Sequence, residues 1–269
     1  MSKTPPIIWD ADALLFIANA SITDNTQKSA INKLVTDLKS ASIWTKMKAI
    51  YPFVGGTASQ HRFNLKDPRT VTGAYYITFN GGGSHSSQGY LPDGITSYAN
   101  TNFIPSTGIS NGASTHFSLY TNTNTFPTVN GEYKVNGGYQ FPPLKIFQLV
   151  FLKQSTGEST YGCSLGGITS LNVNSSTPTT MGFTLGTRTS ATSLKLFQNN
   201  TLLGTNTTSE TNGLPNVNMY LAAINGAGVI DNYNNMPHQF ASIGDGLSDS
   251  EATAFTNAVL AFNTTLNRQ

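Results

Sequence analysis

Leu194-Lys195-Leu196-Phe197-Gln198-Asn199-Asn200-Thr201-Leu202-Leu203-Gly204 decides how the chain is read. Two apolar-rich runs flank an Asn-Asn pair, and asparagine tolerates the positive φ that a tight hairpin turn demands. The stretch is therefore expected to be a β-hairpin. Asn-Gly pairs at 80–81, 111–112, 130–131, 136–137, 212–213 and 225–226 punctuate the rest of the body in the same way. Just upstream, Met181–Thr189 alternates, with Met181, Phe183 and Leu185 on one face and Thr184 on the other. Further strands are expected at Lys46–Val54, His61–Leu65, Ala74–Asn80, Phe117–Asn122, Leu144–Leu152, Met219–Ile224 and Gln239–Ile243. Pro52 marks an edge or a bend in the first of these.

The two ends read differently. Asp10 or Asp12 is placed to cap a short helix carrying Leu14, Leu15, Phe16 and Ile17. A second helix is expected from Thr23–Thr26, with Ile31, Leu34, Val35 and Leu38 on one face and its end before Ile43. At the other end, Ser248-x-x-Glu251 forms a capping box, in which each side chain satisfies the other residue's free backbone donor. Ala252, Phe255, Val259, Phe262 and Leu266 then run down one side at helical spacing. The expected organisation is a helical segment over 1–42 and an all-β sandwich over 43–269 that ends in a helix over 248–266. The N-terminal segment would serve for packing or attachment.

Charge is scarce. Of 269 residues only 10% are charged, against roughly 25% in ordinary domains, while about a third are Ser, Thr or Asn. With 38% hydrophobic residues, including 15 Phe and 11 Tyr, the chain can still fill a core. Its net charge of +2 implies no general affinity for nucleic acid or an anionic membrane. Residues 1–70 carry nine Lys or Arg against five Asp, and the basic excess (Lys28, Lys33, Lys39) follows a helical face. No run approaches the roughly 18 apolar residues of a membrane span. The apolar run Ala13–Ile17 has Asp10 and Asp12 before it, the wrong flank for a signal peptide. The single Cys163 excludes an intramolecular disulfide framework and is expected to be a small buried thiol.

The same scarcity limits chemistry. Glycoside hydrolysis needs two carboxylates ~5–10 Å apart, and none of Glu132, Glu158 or Glu210 has an acidic neighbour two or four residues away. Glu251 is spent in its cap, and Asp245 and Asp249 suit the start of the same helix. The histidines at 61, 85, 116 and 238 are scattered without metal-ligand spacing. Neither a nucleophile elbow nor a phosphate loop is present. No catalytic residue, metal site or cofactor is therefore expected. Two stretches suit a sugar instead. In Asp231-Asn232-Tyr233-Asn234-Asn235, the Asn232 and Asn234 amides can bond hydroxyls while the Tyr233 ring stacks on a pyranose face. His85, in Gly83-Ser-His-Ser-Ser, belongs to what reads as a polar, hydroxyl-rich loop. For each, a plain solvated turn is the competing reading.

Two resemblances add to this. The closing segment, Gln239-Phe-Ala-Ser-Ile-Gly through Gly246-Leu-Ser-Asp-Ser-Glu251 into the helix, resembles the end of concanavalin A-like (laminin-G-type) jelly-roll domains. The laminin-G-type calcium ligands have no counterparts here. The run Ile43-Trp-Thr-Lys-Met-Lys-Ala-Ile-Tyr-Pro-Phe-Val-Gly-Gly-Thr-Ala-Ser-Gln-His-Arg-Phe-Asn-Leu-Lys-Asp-Pro68, with the helices before it, resembles virion structural proteins of tailed phages. Similar chains are carried by crAss-like phages and other phages of Bacteroidetes hosts. Together these imply a concanavalin A-like jelly-roll sandwich in a non-enzymatic virion subunit: a head fibre, capsid decoration or tail appendage. The resemblance implies synthesis in the bacterial cytoplasm and display on the virion surface. Partners would be other capsid or tail proteins, further copies of the chain as a dimer or trimer, and host or mucosal glycans. A free carbohydrate-binding module and a glycan-degrading enzyme are the other readings carried forward.

Overall fold

The hairpin at 194–204 forms as its turn chemistry requires. Strands Ser193–Gln198 and Thr201–Asn206 pair antiparallel across Asn199-Asn200, and Asn199 takes φ 52°. In this computed structural model, which describes residues 8–71, 73–210 and 212–269, the hairpin is one edge of a six-stranded antiparallel sheet. The order from the other edge is Met47–Tyr51, Phe240–Gly244, Thr115–Thr121, Gly182–Ser190 and then the hairpin. A second sheet of nine strands has Lys145–Lys153, Ser159–Leu165 and Tyr133–Gln140 at its centre. Its one parallel pairing joins Ile224–Gly226 to Gly137–Tyr139. The two sheets close on Phe117, Leu119, Phe147, Leu149, Phe151, Leu194, Leu196 and Ile243. The chain is a mostly antiparallel β-sandwich of jelly-roll type, with helices at both ends of the sequence.

Those helices make a third layer. Helices Ala11–Asn19, capped by Asp10, and Asn25–Ser40, capped by Asp24, pack with Asp249–Thr265 on the outer face of the six-stranded sheet. Phe255 meets Phe183 and Phe240 edge-on, with ring centroids 5.2 and 6.0 Å apart, an arrangement worth ~0.5–1.5 kcal/mol beyond area burial. The Ser248–Glu251 capping box is present. Residues 1–7 of the expected N-terminal segment lie outside the described residues.

Covering both faces of one sheet changes how its strands look. Gly182–Arg188 is buried at every position, Thr184 included, while Met181, expected to share a face with Phe183 and Leu185, is exposed before the strand begins. Thr184 is satisfied by Gln198 across the hairpin at 2.6 Å. Cys163 is buried between the sheets, and burial pushes its thiol up to about 12.

Three expected strands are corrected. His61–Leu65 is no strand: Ala58–His61 is a short helix, and Asn64 follows it as an edge cap. The Asn64 Oδ1 accepts from Ile50 N–H at 2.9 Å and its Nδ2 donates to Ala74 O at 3.1 Å. This amide covers the open edge of Met47–Tyr51, where bare backbone would invite pairing with another chain. Ala74–Asn80 shortens to Thr78–Asn80, because Tyr75 adopts φ 55°. Met219–Ile224 breaks at Ala222, φ 67°, whose N–H is held by the Asn136 Oδ1 at 2.7 Å.

Candidate functional site

The hairpin Ser84–Ser86/Gly89–Leu91 stands apart from both sheets and is tied to the sandwich by backbone. Tyr90 and His238 exchange N–H···O bonds of 3.0 and 2.8 Å. Gly89 takes φ +109°, and any Cβ there would run into the His238 carbonyl, so the position requires glycine. Between this hairpin, the start of loop 122–125 and the segment 235–239 lies an open groove of about 610 Å³, within the ~300–1,000 Å³ typical of small-ligand sites. Ser84, Ser86, Asn122 and Thr123 supply hydroxyls and amides, while Leu91 and Pro237 supply apolar wall.

Arg268 holds the groove's frame. It is fully buried, and its guanidinium donates to four carbonyls: Ser87 at 2.7 and 3.0 Å, Phe53 at 2.8 Å, Pro52 at 3.1 Å and Gln239 at 3.3 Å. No carboxylate pairs with it among the described residues, and burial lowers it to about 10, so it stays charged at neutral pH. One side chain thereby ties the hairpin turn to both the first strand's end and the segment 237–239.

Asp93 is the groove's one carboxylate. Its Oδ1 accepts from the N–H groups of Ile95, Thr96 and Ser97 at 2.8–2.9 Å, and its Oδ2 accepts from Thr96 Oγ1 at 2.6 Å. The Thr96 hydroxyl and these backbone donors hold the carboxyl well below the usual carboxylate range. Asp93 and Asn235 also border a second cavity of about 250 Å³, where Tyr133, Tyr233, Glu132 and Lys134 stand. Lys134 is buried, donates to the Asn235 Oδ1, and lies 3.6 Å from Glu132; burial lowers its ammonium. Asp93 and Asn235 are common to the linings of the two cavities.

Of the residues singled out from sequence, Tyr233 and Asn234 line the smaller cavity, and Asn232 and His85 line neither. Tyr233 lines the smaller cavity, 6.3 Å from Tyr98. Asn232 takes φ 52° at the turn. Asn234, expected as a sugar reader, borders the smaller cavity but is buried, with its Nδ2 donating to Val135 O at 2.8 Å and its Oδ1 accepting from Met236 N–H at 3.2 Å. The amide that reaches the groove is its neighbour Asn235. The expected loop setting of His85 is corrected. The residue lies on a strand, not a loop, and packs against Phe79 and Tyr90 with its Nδ1 3.0 Å from that of His61. Its serine neighbours, Ser84 and Ser86, line the groove in its place. Burial, then the His85 ring and the Arg268 guanidinium, push His61 down to about 3; burial lowers His85 as well. Asp93 carried one signal in the sequence, the Asp-Gly turn pair at 93–94.

No protein-family model and no curated protein matches the chain. Solved structures do share its fold. A mutant of Trypanosoma rangeli sialidase displaying trans-sialidase activity aligns at 9% identity and a TM-score of 0.52, over 88% of this chain and 39% of that one. A mutant of HCR/D aligns at 11% identity and a TM-score of 0.51, over 80% and 53%. Domain 4 of AbnA, an extracellular arabinanase from Geobacillus stearothermophilus in complex with arabinotriose, aligns at 14% identity and a TM-score of 0.46, over 78% and 98%. The chain thus spans about two fifths of the sialidase and about half of HCR/D. The likeness is one of fold.

Proposed function

We propose that the chain is a non-enzymatic, glycan-binding β-sandwich, with the groove beside hairpin 84–91 as its binding face. The observation that carries this reading is the groove's lining: amides and hydroxyls around Leu91 and Pro237, with one carboxylate held ionised by protein donors. Placed polar groups on an apolar wall are what a sugar needs, hydrogen bonds for its hydroxyls and a flat face for its C–H groups. Hydrolysis would require a carboxyl able to hold a proton near neutral pH. Asp93 is held in the opposite state, and Glu132 is engaged by the Lys134 ammonium at 3.6 Å.

The setting we propose is the exterior of a tailed-phage particle, where the chain would be a head-fibre, decoration or tail-appendage subunit in a dimer or trimer. Support comes from the resemblance of Ile43–Pro68, a stretch that here builds an edge strand, its Asn64 cover and the short helix Ala58–His61. Weak sites repeated over a particle gain avidity without new contacts.

A glycan array probed with wild-type protein and with Ser86→Arg, which fills the groove from an exposed position, tests the binding claim. Binding by the wild type and its loss in a folded Ser86→Arg protein is the expected result. A blank array, or equal binding by both proteins, refutes it. Release of reducing ends from a bound polysaccharide would refute the non-enzymatic part. The virion setting is tested by locating the chain in a reconstruction of the particle.

A further inference from the structure

We infer that the groove selects neutral oligosaccharides longer than one ring and rejects those carrying sialic or uronic acid at the residues its two cavities share. The inference rests on the glycan-binding reading above and adds the ligand's class and length. Asp93 and Asn235 line both the 610 Å³ and the 250 Å³ cavity, so an occupant that reaches from one to the other lies against them. A single ring cannot fill both.

The groups at the junction have opposite hydrogen-bonding character. Lys134 occupies the Asn235 Oδ1, which turns the Asn235 Nδ2 into the end left to donate; it has no partner among the described residues. Asp93 can only accept. Its Oδ1 is filled by three backbone N–H groups and the Ser97 hydroxyl, whereas its Oδ2 holds one partner, Thr96 Oγ1. A neutral sugar offers both a hydroxyl hydrogen for Oδ2 and a hydroxyl or ring oxygen for the Asn235 amide. Tyr133 and the half-buried Tyr233 then flank the next ring in the smaller cavity.

The charge arithmetic decides against acidic sugars. Lys134 is the cation of the junction, and it is buried against Glu132. Asp93 makes no ion pair among the described residues and stays ionised at any physiological pH. A glycan carboxylate passing the junction therefore meets an uncompensated negative charge, and its own lone pairs face an acceptor. Like charges at an exposed site cost about as much as an exposed ion pair gains, which corresponds to about a fivefold loss of affinity at low salt.

The test is an array printed with matched pairs: neutral oligosaccharides of one to four units, the same chains capped with sialic acid, and hexuronic acid oligomers of equal length. Bound spots are expected to be neutral and of two or more units, with capped partners weaker by about fivefold. Asp93→Asn keeps an oxygen for the turn's N–H groups and is expected to bring capped and neutral partners together. Because that variant can fail to fold, the wild type is also measured in 50 mM and 500 mM salt, where screening must shrink the same ratio. Acidic chains bound as tightly as neutral ones, single rings bound as tightly as trimers, or a preference unmoved by both Asp93→Asn and salt would each overturn the inference and leave glycan binding standing. A blank array would overturn the underlying reading.

Discussion

Replacing Arg268 removes a single buried side chain that serves four carbonyls from three separate segments. Its guanidinium donates five hydrogen bonds to the carbonyls of Ser87, Phe53, Pro52 and Gln239, and its own carbonyl accepts from Tyr120 Oη at 3.0 Å. In Arg268→Met the volume is largely retained but the four carbonyls lose their donors. Each buried acceptor left without a partner costs ~1–3 kcal/mol. Water reaching the outermost carbonyls and the relieved desolvation of the guanidinium offset part of that, leaving about 3 kcal/mol. For a chain of this size such a loss lowers Tm by about 6–12 °C. Differential scanning calorimetry of wild type, Arg268→Met and Arg268→Lys reads it. Lysine keeps the charge but cannot span four carbonyls, and is expected to recover only part of the loss. An Arg268→Met protein as stable as the wild type would refute the reasoning, because the carbonyls would then be shown not to need this donor. The same variant is expected to weaken glycan binding below its melting temperature, since Ser87 and Gln239 frame the groove.

Three further outcomes follow from named contacts. His61, His116 and His238 are held at about 3, 4 and 3, chiefly by burial, against an ordinary 6.5. The unfolded chain therefore binds more protons than the folded one between pH ~6.5 and ~4, so stability is full above that window and falls with acid, by ~1.4 kcal/mol per pH unit for each histidine at most. Urea midpoints at pH 7, 6 and 5 check this, and a midpoint that does not fall with pH contradicts it. Gly89→Ala places a Cβ against the His238 carbonyl at a positive φ, and is expected to cost over ~1 kcal/mol and to lower glycan affinity with it; an unchanged midpoint in thermal melts counts against the glycine argument. Ser248→Ala removes one half of the capping box over the helix that covers the sheet, and should cost about 1 kcal/mol in urea unfolding.

How much of this was written in the sequence depends on whether the signal was local. The 194–204 hairpin, the Asp10 and Asp24 caps and the Ser248–Glu251 box all rest on side chains bonding to backbone a few residues away, and all form. The strands that failed were set by distant partners. His61–Leu65 alternates well enough, yet Asn64 serves residues 48, 50 and 74, and no window around it contains them. Met219–Ile224 looks continuous until Asn136, in another strand, bends it at Ala222. The groove failed in the same way. Asn234 and Asn235 are equivalent as letters, and only the path of Val135 and Lys134 past them assigns one to the core and the other to the groove. Arg268 carries no local signal at all, because its partners lie 29 to 216 residues away.

The central claim is that a sugar occupies the groove between hairpin 84–91 and the segment 235–239. Backbone amide chemical shifts, followed while the tightest oligosaccharide from the array is titrated into labelled protein, test it most directly. Saturable shifts are expected at Ser84–Asp93, Asn122–Thr125 and Asn235–Gln239, spreading to Tyr133 and Tyr233 as the oligosaccharide lengthens. Shifts centred on the helical layer or on the strands 159–175, or none at saturating sugar, would contradict it.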